Sequence, residues 1–480
     1  MNKPLRRVTI VVVMLFVSLF VSTSTLQVLD VSTLNADSRN TRALYASFSA
    51  QRGSIIVGKD AIASSVAVDD EWQYLREYSD PELYSAITGY FTLTQGSSGL
   101  ESALNDYLTG TADTQFFDRL YNLITGQTSQ GASVTLTIDP EIQQAAWDAL
   151  GDNNGSIVAL DPSTGEILAM VSKPGYDPNT LASHDTSAVI DAYNDLLADE
   201  DDPLINKAIS GDLYTPGSTF KIIVAAAALQ NGYTMDSTFD NPSELTLPNS
   251  TSVIHNSTNG TCGGLESDTV TLEQALQYSC NIPFAELGLE LGQDTIRETA
   301  EALGFGDSVS IPMTSTASIY PTDMDDAQTM LSSFGQYDVR VTPLQMAMVA
   351  ATIANDGVEM TPNIVEQIRS SSLETLEEFT PTVYAEPLSS EVSEVLTEMM
   401  VNNVDNGYAS NAKIDGVSVA GKTGTAENGV GDLYTLSFIG FAPADDPEVA
   451  IAVFVEDQEA GSSEVAAPIA KIVMEAVLDK

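Results

Sequence analysis

Histidine is nearly absent from this chain of 480 residues, in which His184 and His255 are the only two. A Ser-His-Asp triad uses an imidazole as its proton acceptor, and imidazole is also a common zinc ligand. Two histidines are almost too few to form either kind of site. If the chain is an enzyme, its general base is therefore expected to be another side chain.

Basic residues are also scarce: 19 lysines and arginines stand against 67 acidic residues, for a formal charge of -48 at pH 7. A nucleic-acid-binding protein needs a basic patch for the phosphate backbone, so the composition argues against that class. The acidity indicates solubility and a salty or acidic habitat, and it identifies no substrate. Cys262 and Cys280 are too few for a disulfide-dense scaffold and suit either one bridge or two buried thiols.

What is present begins with an uncharged run from Val8 to Leu29. At a rise of about 1.5 Å per residue, a helix of this length reaches about 33 Å, enough to cross a hydrocarbon core. Basic residues precede the run and acidic residues follow it, which places residues 1–7 in the cytoplasm and the body outside. The alternative is a cleaved signal peptide, although no A-x-A pattern follows. We expect residues 8–29 to be an uncleaved transmembrane anchor, and the body is exported in either case.

The whole chain is 43% hydrophobic. Its length allows two or three domains with a substantial core. Residues 30–131 are polar and mixed, and we interpret them as a small, non-catalytic α+β module. Residues 132–480 alternate between strand-like and helix-like runs, and helices that lie over an antiparallel sheet are typical of the α+β class. The strands predicted there are 133–138, 156–160, 166–171, 417–421, 436–441 and 449–455, with turns at 161–165 and Asn428-Gly429. One predicted helix begins at Pro140 with Asp139 as its cap, and another begins at Pro343. Two more span 215–229 and 463–478.

The first pattern with chemical meaning is Thr215-Pro216-Gly217-Ser218-Thr219-Phe220-Lys221. Proline and glycine should bring the chain sharply into a helix, with Ser218 in its first turn and Lys221 on the same face. A serine hydroxyl is a poor nucleophile until its proton is taken, and a desolvated lysine can take it. The apolar residues that follow favour such a setting. Alone the pattern is weak, because an exposed lysine near a helix start is the ordinary alternative.

Two further polar patterns follow. The first is Ser279-Cys280-Asn281, after a capping box that opens a helix at Thr271. The second is Lys422-Thr423-Gly424-Thr425, where a cation and hydroxyls at a strand could hold a carboxylate and glycine permits close approach of a substrate. Taken singly, an ordinary cluster at a helix end and a solvated strand end explain them equally well.

The order Ser-x-x-Lys, Ser-x-Asn and Lys-Thr-Gly is far more specific than any one motif, and it is the signature of penicillin-binding proteins and serine β-lactamases. On these motifs the sequence resembles the class B penicillin-binding proteins, most of all the actinobacterial type called penicillin-binding protein A, over nearly its whole length. Other strings similar to that family are Arg52-Gly53, 159–170, Gly335-Gln336, 342–347 and 440–443.

The resemblance implies an α+β penicillin-binding transpeptidase domain, similar to the serine β-lactamases, with a central antiparallel sheet covered by helices. It implies a serine-type D-Ala-D-Ala transpeptidase that works without cofactor or metal, cross-links stem peptides through an acyl-enzyme and binds penicillin covalently. The implied roles are nucleophile for Ser218, proton acceptor for Lys221, proton relay for Ser279, positioning for Asn281, carboxylate binding for Lys422 and Thr423, close approach to substrate at Gly424, and oxyanion-binding N–H groups at Ser218 and Thr425.

The implied partners are stem peptides ending in D-Ala-D-Ala, β-lactams and a membrane peptidoglycan polymerase of the shape, elongation, division and sporulation family. The implied location is the cell membrane, with a single pass and an extracellular catalytic domain. Three alternatives stay open: a D,D-carboxypeptidase or β-lactamase that gives the acyl group to water, a β-lactam sensor, and an inactive division scaffold. The module before residue 132 and the anchor favour the transpeptidase.

The export of the body also bears on the two cysteines. Cys262 and Cys280 would meet an oxidising compartment, where a disulfide can form. Cys280 lies between two residues expected to face the site, so its side chain should point back toward the protein body. We expect a Cys262–Cys280 bridge that holds Ser279 and Asn281 in position, against the alternative of two separate thiols.

Overall fold

The structure is a computed structural model that describes residues 3–25, 48, 50–116, 124–125, 130–257, 260–427, 433–459 and 461–480. The strands in these ranges are β1 Ile55–Val57, β2 Asp60–Ala67, β3 Tyr74–Tyr78, β4 Phe91–Thr92, β5 Gly96–Ser97, β6 Ser133–Leu136, β7 Gly155–Leu160, β8 Ile167–Lys173, β9 Thr238–Asp240, β10 Glu244–Thr246, β11 Val253–His255, β12 Thr269–Thr271, β13 Glu359–Met360, β14 Val365–Arg369, β15 Thr375–Glu378, β16 Val383–Ala385, β17 Ala420–Glu427, β18 Tyr434–Ala442 and β19 Val449–Gln458.

The α-helices in the same ranges are α1 Lys3–Ser24, α2 Pro81–Thr88, α3 Gly99–Ala103, α4 Asn105–Leu108, α5 Pro140–Leu150, α6 Asn179–Ala182, α7 Thr186–Leu197, α8 Lys221–Gln230, α9 Leu272–Gln277, α10 Asn281–Leu291, α11 Gln293–Ala302, α12 Asp326–Ser332, α13 Pro343–Ala354, α14 Ser390–Asn406 and α15 Ala466–Leu478. Short 3-10 turns lie at Asp113–Gln115, Gly217–Phe220, Cys262–Gly264 and Ser410–Ala412.

The larger part of the core surrounds a five-stranded sheet in the order β17-β18-β19-β7-β8, and every neighbouring pair is antiparallel. Helix α13 packs on one face of the sheet, and α15 with α5 packs on the other. Strand β19 is buried on both faces, because its side chains alternate between two hydrophobic clusters. This arrangement confirms the expected α+β class with a central antiparallel sheet covered by helices.

A second sheet has the order β15-β14-β6-β1-β2-β3. Strand β6 pairs in parallel with β1 and antiparallel with β14. This sheet therefore joins strands that precede the five-stranded sheet in the sequence to a segment that lies between its strands β8 and β17. The predicted boundary between residues 131 and 132 falls just before β6. The division of the chain into the ranges 1–7, 8–29, 30–131 and 132–480 stays a prediction.

A buried ion cluster ties this second sheet to α3. The Glu101 carboxylate receives Arg52 Nε at 2.6 Å and Arg76 Nε at 2.5 Å, and all three side chains are almost fully buried. Burial opposes ionisation of Glu101, but Arg76 and Arg52 outweigh it and lower the pKa of the carboxyl below its ordinary value. The carboxylate therefore holds two guanidinium groups in a dry interior.

Several local predictions are confirmed. Asp139 caps α5, since its carboxylate accepts from the N–H groups of Glu141 and Ile142. The hairpin across 161–165 forms as β7 and β8, and Thr271 makes the predicted capping box with Gln274.

The strand predicted at 417–421 was placed too early, since β17 runs from Ala420 to Glu427. An isolated bridge between Ile414 and Val417, around Gly416 with φ +81°, turns the chain first. The turn predicted at Asn428-Gly429 lies outside the described residues.

The amino-terminal helix α1 has a mean hydropathy of 2.1, so it is long and apolar enough to cross a membrane. The expected anchor at 8–29 continues beyond this helix into residues that the structure does not describe. The apolar side chains of α1, such as Phe16 and Leu19, are exposed.

Candidate active site

The Ser218 segment is a tight turn that leads into a buried helix. Gly217 has φ +56°, and a Cβ there would lie 2.7 Å from the Thr425 carbonyl oxygen, so only glycine fits. Its N–H donates to the Gly335 carbonyl at 3.0 Å. Ser218 therefore lies in a 3-10 turn, and the α-helix that was predicted to hold it begins at Lys221.

Lys221 occupies the centre of the site. Its Nζ lies 3.0 Å from Ser218 Oγ, 2.8 Å from the Ser279 carbonyl oxygen and 2.8 Å from Asn281 Oδ1. The Asn281 amide is oriented by a hydrogen bond from its Nδ2 to the His255 carbonyl at 2.9 Å, which leaves Oδ1 toward the lysine. Two of the three partners of Nζ are thus acceptors only, and the third is a hydroxyl.

A neutral lysine amine has two N–H donors and one lone pair. If the Ser279 carbonyl and Asn281 Oδ1 take both donors, the lone pair faces the Ser218 hydroxyl, which must then donate. Burial, with help from the charge of Lys422, lowers the pKa of Lys221 well below its ordinary value, so the neutral form is favoured. The geometry can therefore withdraw a proton from Ser218.

The second motif is held between two helices. Residues 278–280 link α9 to α10, and Asn281 is the first residue of α10. Ser279 has φ +54°, a backbone conformation that non-glycine residues seldom adopt. Residues with such strained conformations are often found at functional sites. Cys280 and Cys262 are joined by a disulfide with their Cα atoms 5.4 Å apart, so the Cys280 side chain points away from the site.

The third motif lies on β17, the edge strand beside the Ser218 turn. Lys422 Nζ donates to Ser279 Oγ and to the Thr423 carbonyl, each at 2.8 Å, and burial lowers the pKa of Lys422 to about 7. A Cβ at Gly424 would lie 2.4 Å from Ser437 Oγ and 2.6 Å from the Pro216 carbonyl oxygen. Glycine is thus required for the strand to approach the turn.

The predicted site residues come together from three places in the chain. Side-chain hydrogen bonds connect Lys221 to Ser218 and to Asn281. Another side-chain hydrogen bond connects Lys422 to Ser279. Thr423 and Gly424 follow on the same strand, and the exposed Thr425 hydroxyl lies 3.1 Å from Ser462 Oγ. The arrangement can activate one hydroxyl with a neutral amine and hold a second hydroxyl beside a cation.

Sequence reasoning missed several supporting residues. Ser257 Oγ donates to the Ser279 carbonyl at 2.8 Å, and Asn256 Oδ1 accepts from the Ile282 N–H at 3.1 Å. Ser462 stands beside Thr425. No pattern marks these three. Gly335 appeared only as part of a string similar to the class B family.

Known proteins share this fold and this order of motifs. The description "Penicillin binding protein transpeptidase domain" matches residues 155–475, and "Penicillin binding protein A dimerisation domain" matches residues 52–134. The peptidoglycan D,D-transpeptidase PbpA of Mycolicibacterium smegmatis is 42% identical over 100% of this chain and 99% of its own length. The protein of that name from Mycobacterium tuberculosis is 39% identical over the same shares.

The fold of this chain is also similar to that of a solved structure. Penicillin-binding protein A from M. tuberculosis, as its imipenem acyl-enzyme complex, matches with a TM-score of 0.86 at 39% identity, over 90% of this chain and 99% of that one. The fold, the order of the motifs and the full-length identity agree. This chain belongs to the penicillin-binding protein transpeptidase family, in its class B branch.

Proposed function

We propose that this chain is a peptidoglycan D,D-transpeptidase that cross-links stem peptides through an acyl-enzyme on Ser218. One observation carries the proposal: a buried Lys221 Nζ, 3.0 Å from Ser218 Oγ, whose two other partners can only accept hydrogen bonds. The same serine takes up β-lactams, whose strained amide resembles the peptide bond that is cleaved.

In the acylation step, Ser218 Oγ attacks the carbonyl of the penultimate D-Ala and its proton passes to Lys221 Nζ. The N–H groups of Ser218 and Thr425 would receive the developing oxyanion, an effect often worth about 3 kcal/mol per donor. Their segments touch, since Gly217 packs on the Thr425 backbone. When the tetrahedral intermediate collapses, the C–N bond breaks and the terminal D-Ala leaves as an amine.

The leaving amine needs a proton, and Ser279 is placed to supply it. Its hydroxyl receives a hydrogen bond from Lys422 Nζ, and the pKa of about 7 means that this lysine can carry or release a proton near neutral pH. Lys422 and Thr423 would also hold the terminal carboxylate of the substrate. Asn281 keeps the proton acceptor oriented and contacts the peptide backbone.

An amine from a neighbouring stem peptide then attacks the acyl-enzyme and forms the cross-link. We expect α1 to anchor the protein in the cell membrane, with the catalytic domain outside; its length and hydropathy support this location. The partner proposed for this activity is a membrane peptidoglycan polymerase of the shape, elongation, division and sporulation family, and membership of the class B penicillin-binding proteins supports it. Membrane fractionation with sequencing of the mature amino terminus tests the anchor, and a start near residue 25 to 30 would contradict it.

The deciding experiment separates a transpeptidase from a carboxypeptidase or a sensor. The purified body is incubated with a stem-peptide mimic ending in D-Ala-D-Ala and an acceptor amine, and the products are analysed by mass spectrometry. Aminolysis product is expected, and it should disappear in Ser218→Ala. Hydrolysis alone would indicate a carboxypeptidase, and a stable acyl-enzyme without turnover of peptide would indicate a sensor.

A further inference from the structure

A short segment outside the three motifs holds the Ser-x-Asn motif in place. We call this segment, residues 255–257 at the end of β11, the clamp. The His255 carbonyl receives Asn281 Nδ2, the Asn256 side chain receives the Ile282 N–H, and Ser257 Oγ donates to the Ser279 carbonyl. Three successive residues thus fix both ends of the motif.

The chain around the clamp is itself restrained. Asn256 is buried, and its Nδ2 donates to the Gly260 carbonyl at 3.1 Å and to the Pro242 carbonyl at 3.3 Å. The disulfide from Cys262 to Cys280 connects the same stretch of chain to the middle of the motif. The clamp therefore keeps a fixed position relative to Ser279.

The Ser257 contact differs from the others because it reaches an atom that Lys221 also uses. The Ser279 carbonyl oxygen accepts from Ser257 Oγ at 2.8 Å and from Lys221 Nζ at 2.8 Å. A hydrogen bond to the charged form of a base stabilises that form and raises its pKa. A second donor withdraws electron density from the carbonyl and so weakens its bond to an ammonium more than its bond to a neutral amine.

We propose that Ser257 is a positioning residue for acylation: by sharing the Ser279 carbonyl, its hydroxyl helps to keep Lys221 a neutral amine that can accept the proton of Ser218. Ser257 does not touch the reacting atoms and acts only through this carbonyl. The proposal rests on the proposed function, because it presumes that Lys221 is the proton acceptor.

The other groups around Lys221 limit what else could set its protonation. Lys422 on β17 is the charged group that acts on it among the described residues, and it opposes a second positive charge. The rings of Phe284 and Phe334 lie 5.6 and 5.9 Å from Nζ. His255, opposite Glu244 in the β10–β11 pair, is the titratable side chain of the clamp itself.

The test is the pH dependence of acylation by a fluorescent penicillin, measured on the wild type, Ser257→Ala and Ser257→Thr. Loss of one hydrogen bond should raise the midpoint of the acid limb by about half to one pH unit. Acylation of Ser257→Ala should be about three- to tenfold slower on that limb and equal to wild type at the alkaline plateau. Ser257→Thr keeps the hydroxyl and should restore the midpoint.

Ser252→Ala is the matched control, because it removes a hydroxyl from the exposed turn between β10 and β11 and should leave the profile unchanged. Ser257→Ala should raise the midpoint of the acid limb by the same amount in a His255→Gln background. If the midpoint no longer moves in that background, the effect belongs to His255 and the proposal is overturned. A Ser257→Ala profile with a lower plateau and an unmoved midpoint would reveal a purely structural role and would also overturn it. A wild type that is never acylated would instead refute the proposed function.

Discussion

Lys422 Nζ donates a hydrogen bond to Ser279 Oγ at 2.8 Å, across 143 residues of sequence. This contact joins the third motif to the second, as the Lys221 contacts join the second to the first. Both lysines are fully buried, and burial lowers the pKa of each. Burial thus favours the neutral amine at both positions, which lets Lys221 accept a proton and makes a charged lysine costly to the folded protein.

Ser218→Ala should abolish covalent labelling by fluorescent penicillin. The substitution removes the nucleophile and leaves the fold intact, because Ser218 lies in a turn whose shape depends on Gly217 and Gly335. In-gel fluorescence measures the label, and the melting temperature serves as the control for folding. Labelling of a folded Ser218→Ala protein would refute the assignment of the nucleophile.

Lys221→Arg should slow acylation at least about a hundredfold, the usual scale for the loss of a general base. A guanidinium keeps its proton at every accessible pH and cannot accept one from Ser218. Stopped-flow or gel-based acylation rates give the measurement. The matched control is Lys471→Arg on α15, whose lysine forms only a surface ion pair. Acylation of Lys221→Arg at the wild-type rate would exclude the proposed role.

The stability of the wild type should rise with pH relative to Lys422→Met. The pKa of Lys422 is about 7 in the folded protein and about 10.4 in an unfolded chain. Between these values the unfolded chain binds more protons than the folded one, so the free energy of unfolding increases with pH. From pH 7 to pH 9.5, the free energy of unfolding of the wild type, measured by chemical denaturation, should increase by on the order of a few kcal/mol relative to that of Lys422→Met. Parallel curves for the two proteins would mean that Lys422 stays charged when folded.

Removal of the disulfide by Cys262→Ser with Cys280→Ser should cost about 3 kcal/mol of stability, the chain-entropy value for a loop of this length. The two cysteines are 18 residues apart. Chemical denaturation measures the loss, and thiol counting on the unreduced wild type should find no free thiol. Acylation should also slow, because the bridge fixes Cys280 between Ser279 and Asn281. Wild-type acylation in the double variant would assign the bridge to stability alone.

Glu101→Gln should destabilise the protein by about 3–5 kcal/mol, because it leaves the buried Arg52 and Arg76 without their anion. The cluster joins α3 to the second sheet, and its ion pairs involve none of the three motifs, so the protein that remains folded should acylate at the wild-type rate. Denaturation and acylation assays on the same sample separate the two effects. Glu77→Gln, at an exposed position next to Arg76 on β3, is the control and should change neither value.

Much of the site could be predicted because its signals are local. The spacing of Ser218 and Lys221 places them on one turn, and Asp139 and Thr271 cap helices with their own side chains. The sequence of β19 is a nearly continuous apolar run, because both faces of this strand are buried. The start of β17 was misplaced because the bridge from Ile414 to Val417 depends on a turn at Gly416 that hydrophobic patterning does not register.

The sequence by itself determined the α+β class, the apolar amino-terminal helix, the three motifs and the family, because each depends on residue types at short spacing or in a fixed order. Only the tertiary structure decided that β14 and β15 complete the second sheet, and that Ser257 reaches the carbonyl used by Lys221. These contacts join residues far apart in the chain, and many of them use backbone atoms. A backbone carbonyl is the same in every residue, so its partner is chosen by where the fold brings it.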